Sequence, residues 1–164
     1  MSEPRPAAEV ALTHRFLLDH PYEAARLFEG MPAHDAAALI ALQPSHAALR
    51  AWEALSPDVA RDVLAQLPDA LAVHLLAEAE PVVAVAVLAQ MQREAKADWL
   101  QRINPEVAKE LHDLLAYAED CAGRMMDPRV SPLRQGMTVV EAIERLRLIR
   151  RDGLRELFVV DDDG

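Results

Sequence analysis

Aromatic side chains are scarce in this sequence, with two Trp, two Tyr and three Phe among 164 residues. Its core must then be filled by Leu, Val and Ala, which suits short helices at close spacing. Cysteine is nearly absent. Cys121 alone forms no internal disulfide, and with no activating base beside it a nucleophile is not expected. His14, His20, His34, His46, His74 and His112 make no His-x3-His pair, which argues against zinc. Basic residues are outnumbered 17 to 27, for a formal charge of −10, and that balance opposes a phosphate backbone and favours a cation as partner. Long apolar runs are missing too. The longest, Val82 to Ala89, falls far short of the roughly 20 residues that a spanning helix needs. No Gly-rich phosphate loop and no Ser-His-Asp arrangement occurs, so no enzyme is expected. The opening Met-Ser-Glu-Pro-Arg-Pro lacks a charged-then-apolar leader, and with the single Cys this places the expected compartment in a reducing cytosol.

Glycine is also rare before residue 123, where Gly30 stands alone, and proline takes its place as punctuation. Pro21, Pro32, Pro44, Pro57, Pro68, Pro81 and Pro105 recur about every dozen residues, with one Pro missing near Arg93. This is an internal repeat. Proline lacks an N–H and is tolerated at the first helical position, so each of these should start a helix, with Ser56 and Asn104 as N-caps of two of them. The sets Ala24, Leu27, Phe28, Met31; Ala60, Val63, Leu64, Leu67; and Ala84, Val87, Leu88, Met91 each follow helical periodicity and predict one inward stripe per helix. Ala stands three residues after Pro at Ala24, Ala60, Ala84 and Ala108, which lets neighbouring helices approach closely. Helices of two to three turns are marginal alone and need neighbours. The expectation is a right-handed superhelix of short Pro-started antiparallel helices over residues 9–118, after a flexible N-terminus at 1–8. Trp52, Trp99 and Ile103 are its expected core fillers.

Residues 119–128 read as a joint. Leu111, Leu114, Leu115 and Ala118 carry a helix up to it, and Gly123 is expected to end that helix in a left-handed conformation. Beyond it, Arg129 to Leu133 reads as a short strand. Thr138 and Glu141 have capping-box spacing before a helix with Val139, Ala142, Ile143, Leu146 and Ile149 on its apolar face. Leu157 to Val160 reads as a buried strand, and the Asp161 to Gly164 turn calls for a further strand. Arg145, Arg147, Arg150 and Arg151 form the one basic patch, read as a solvated helix face.

A strand, a Thr-Val-x-Glu-Ala helix and a Phe-Val-Val-Asp strand before Asp-Gly resemble the opening of a CBS motif, so residues 129–164 are read as an incomplete first CBS motif with a truncated β-α-β core. Preceded by a Pro-punctuated superhelix and by Tyr117, Glu119, Asp120, Ala122, Gly123 and Met126, this order resembles the cytosolic front end of MgtE-type magnesium transporters. The resemblance implies a Mg2+ sensor on the cytoplasmic face of the plasma membrane, which gates a transmembrane channel domain. The implied partners are that channel, the rest of the CBS pair and a second copy in a homodimer, with no nucleic acid. Mg2+ would bridge acidic residues of the two cytosolic domains and cancel their repulsion. In the family an Asp-Asp-x-x-Asp-like cluster opens the helix that here begins at Pro81, where this sequence has Val82, Val83 and Val85. Arg50 stands at another position where an acid is expected. The remaining metal candidates are Glu53, Glu78 and Glu80. A second reading of the same residues is a soluble CBS-containing regulator that responds to an adenine nucleotide, or a scaffold.

Overall fold

The computed structural model describes residues 14–128, 132–148 and 157–161. The chain divides into two units between Met126 and Asp127. The first unit is a superhelix of short helices. Residues 14–19 are helical (α1), followed by α2 (Pro21–Glu29), α3 (Ala33–Ala41), α4 (Ser45–Glu53), α5 (Pro57–Leu64), α6 (Asp69–Glu78), α7 (Pro81–Ala89), α8 (Arg93–Arg102) and α9 (Pro105–Leu115).

Proline sets these boundaries in two ways. In α2, α5, α7 and α9 it opens the helix itself, as expected. At α3, α4 and α6 it sits one residue earlier, where Pro32, Pro44 and Pro68 are N-caps with extended ψ of 135 to 145°. Both positions lie where a helix leaves the backbone N–H without an internal partner, so proline's missing donor costs nothing at either. α8 has no proline, and Gln92 stands at its N-cap position without a side-chain capping bond. Asn104 caps α9 as expected, its side chain accepting from the Glu106 N–H at 2.8 Å. Ser56 makes no such side-chain cap; its own backbone N–H donates instead to Glu29 Oε1 at 2.8 Å.

The helices pack in two rows. α2, α4 and α6 lie side by side in one; α3, α5, α7 and α9 in the other. The core between them is Ala, Leu and Val around Trp52, which is fully buried and donates its indole N–H to the Ala60 carbonyl at 3.0 Å. Of the alanines three residues after proline, Ala24, Ala60 and Ala84 are buried and Ala108 is half-buried. The α5 and α7 stripes face inward as expected, except that Met91 is only half-buried. In the α2 stripe Ala24 and Phe28 are buried and Met31 is half-buried, but Leu27 is 62% exposed, although its counterparts in α4 and α6, Ala51 and Leu75, are buried. Ile103 is core, whereas Trp99 is only half-buried, since α8 packs on α9 and carries no fully buried residue.

The second unit holds a β-α-β arrangement. Strand β1 (Leu133–Arg134) pairs in parallel with β2 (Val159–Val160), and α10 (Val139–Leu148) lies between them in sequence. The capping box forms: Glu141 Oε2 accepts from the Thr138 N–H and hydroxyl, each at 2.8 Å, and the Glu141 N–H donates to Thr138 Oγ1 at 3.3 Å. Thr138, main chain first and side chain second, holds the Glu141 carboxyl below its ordinary pKa. Two expectations fail here. The second strand is short rather than four residues long, and Leu157, Phe158 and Val159 are at least half exposed. Val139 and Ile143 of the α10 apolar face are exposed too, and Ala142 and Leu146 half-buried, because a two-stranded sheet is too narrow to cover a helix face. Ile149, Arg150, Arg151, Arg129 to Ser131, Asp162 to Gly164 and residues 1–13 lie outside the described residues. Among the described residues no helix is long and apolar enough to cross a membrane.

Candidate functional site

Two places gather the residues singled out above. The first is a cleft of about 130 Å³ lined by Tyr22 on α2, Arg50 and Glu53 on α4, and Glu80 and Val83 at the start of α7. Arg50 and Glu53 share one side of α4 because they are three residues apart. Glu53 Oε1 accepts from the Glu80 N–H at 2.9 Å, so the carboxylate of one helix caps the N-terminus of another. Burial pushes the Glu53 carboxyl above its ordinary pKa; the Glu80 N–H opposes this, the Glu80 charge adds to it and Arg50 opposes it. Desolvation is the largest of these effects.

This arrangement limits what the cleft can hold. Mg2+ requires near-octahedral oxygen coordination, yet one Glu53 oxygen is already committed to a backbone N–H and Arg50 places a competing cation in the same space. Glu78 is not part of the cleft; it is exposed at the end of α6. Val82 and Val83 are half-buried and Val85 is fully buried in the core, so the opening of α7 is apolar in structure as in sequence. Among the described residues no group of three or more His, Cys, Asp or Glu is arranged to hold a metal ion.

The role of Glu53 has a twin that sequence reasoning missed. Glu29 caps Ser56 with the same 27-residue reach as Glu53 to Glu80. Hydrogen bonds from Ser56, main chain first, hold the exposed Glu29 carboxyl below its ordinary pKa. The next position in the series is Ala77, which has no carboxylate, and there Asn104 caps α9 with its own side chain. The signal was available in the sequence as Glu29 and Glu53 standing one module apart.

The second place is the joint. α9 stops at Leu115, ahead of Gly123, and Gly123 lies within a short 3-10 helix, Ala122–Met125. It is not left-handed, contrary to expectation. A Cβ at Gly123 would lie 2.6 Å from two carbons of the Tyr117 ring, so glycine is needed there for space. Arg124 donates to the Tyr117 carbonyl at 3.3 Å and faces Glu119 at 3.8 Å, with its side chain only 13% exposed. Tyr117, Gly123 and Arg124 thus tie the segment back on itself. Met126 joins Tyr117, Asp113 and Ala116 around an open hollow of about 420 Å³. Asp120, Cys121 and Ala122 are exposed.

Comparison with known proteins adds to this geometry. A family model described as the MgtE intracellular N domain matches residues 19–120. The magnesium transporter MgtE of Thermus thermophilus is 36% identical over 64 residues, covering 38% of this chain and 14% of that protein. The crystal structure of the cytosolic domain of the Mg2+ channel MgtE in complex with ATP superposes with a TM-score of 0.78 at 24% identity, over 92% of this chain and 63% of that one. That of the soluble part of a magnesium transporter gives 0.54 at 21% identity, over 94% and 67%. At these identities the two structures speak to the fold. The part of the chain that matches spans about a seventh of the length of the Thermus transporter.

Proposed function

The chain belongs to the MgtE intracellular N domain family, and from that premise we propose that it is the cytosolic regulatory region of a magnesium transporter, sensing Mg2+ and gating a membrane channel domain. The observation that carries this reading is the extent of the family match, which takes in every helix from α2 to α9. The parallel β-α-β unit that follows supports reading residues 129–164 as the opening of a CBS motif, completed and paired in a homodimer by further chain.

Sensing here works through charge compensation between whole acidic faces. The formal charge of −10 supplies the repulsion, and a divalent cation between two such faces relieves it. Glu53 and Glu80 contribute charge to one face, while the Glu53 carboxylate serves mainly as a helix cap.

The test uses the full transporter. Mg2+ flux into vesicles, measured against Mg2+ on the cytosolic side, is expected to shut down as that concentration rises, and deletion of this region is expected to abolish the shutdown. An unchanged Mg2+ dependence after deletion overturns the reading. Calorimetry with ATP on the intact protein separates the second reading, a nucleotide-responsive regulator: nucleotide-controlled partner binding with no effect on flux favours it.

A further inference from the structure

α8 differs from every neighbour in how it is held. α2 to α7 each bury three or more residues, whereas α8 buries none. It packs on α9 but lacks the close side-by-side packing that joins α2, α4 and α6. Its sequence explains this, since Arg-Glu-Ala-Lys-Ala-Asp-Trp-Leu-Gln-Arg has only Trp99 and Leu100 to offer the core, and both remain half-buried.

One charged side chain of α8 reaches across to α6. Arg102 forms an ion pair with Asp69 in the first turn of α6, reaches Asp98 at 3.5 Å and lies over the Trp99 ring at 4.0 Å. Its side chain is 27% exposed, while Asp69 and Asp98 are 82% and 66% exposed. Exposed ion pairs contribute little and are screened by salt, and the stacked ring adds a modest cation–π attraction. Such a contact latches a helix without fixing it as buried Leu and Val fix α7.

We infer that α8 is a strap: it opens from α6 and α9 as a unit while α2 to α7 stay folded, and the Arg102 ion pair with Asp69 is its latch. Local opening of a segment poor in buried apolar contacts is the expected behaviour of the low-stability end of a repeat array.

Hydrogen exchange on the whole chain tests this. Amides of α8 are expected to exchange about tenfold faster than those of α7, and Arg102→Gln to speed α8 by a further several-fold while leaving α5 and α7 unchanged. Asp69→Asn should act in the same direction, and Arg102→Lys, which keeps the charge, should recover part of the protection. Equal protection of α7 and α8 in the native protein overturns the strap. Arg102→Gln with no effect on α8, or with faster exchange throughout the unit, overturns the latch.

Discussion

Glu53 and Glu29 do the same job with opposite responses to acid. The folded chain holds the Glu53 proton to a higher pH than the unfolded chain, because burial penalises its charge. Between the ordinary carboxylate value and that raised value the native state binds more protons, so stability from this group increases as pH falls. Glu53→Gln keeps an acceptor for the Glu80 N–H and should flatten that slope in urea midpoints taken across the range. Glu29 is lowered, so its contribution is present above the unfolded carboxylate value and lost as pH falls through its folded one; Glu29→Gln removes that acid limb. Truncation of the cap by Glu53→Ala should cost about 1 kcal/mol at neutral pH. At the joint, Gly123→Ala drives a methyl into the Tyr117 ring and should cost about 1–3 kcal/mol. In a Tyr117→Ala background the same change should be nearly neutral, and a double-mutant cycle by thermal melting reads that coupling.

At the scale of the element, Trp52 and Thr138 give the clearest expectations. Trp52→Phe retains most of the apolar volume but removes the indole hydrogen bond to the Ala60 carbonyl, for a loss of about 1 kcal/mol in denaturant titration. Thr138→Ala removes the hydroxyl that accepts from the Glu141 N–H, keeps the main-chain N–H that donates to the Glu141 carboxylate, and should lower α10 stability by about 1 kcal/mol, read as faster amide exchange at its first turn. The elements themselves were legible in the sequence because proline reports a local constraint: a residue with no N–H belongs at a helix start wherever the rest of the chain lies. Whether Pro32, Pro44 and Pro68 sit inside or just outside their helices was not legible, since both positions satisfy the same constraint. Nor was the role of Gly123, because a glycine before a strand reads equally as a left-handed stop and as a gap for a ring six residues back. The burial of α10 and of Phe158 was misjudged for a different reason: periodicity identifies the apolar face and says nothing of whether anything covers it.

For the whole molecule, a charge of −10 makes self-repulsion sensitive to salt. At matched ionic strength, MgCl2 and NaCl should raise the melting temperature of the 164-residue chain equally; a surplus with Mg2+ would reveal a ligand set within it. Glu53, Glu78 and Glu80 illustrate how far a site can be read from sequence. Their proximity in the chain suggested a group, but the turn between α6 and α7 points Glu78 away and Glu53 is drawn in from α4 as a cap. The caps also govern how such a protein can change length over time. Glu29 and Glu53 each grip a point 27 residues ahead, so inserting or deleting a few residues between a glutamate and its partner would release the carboxylate and leave a helix start bare. A change of one whole helix pair keeps both grips, so a chain lengthened by a complete pair should melt close to the parent where one lengthened by a few residues does not.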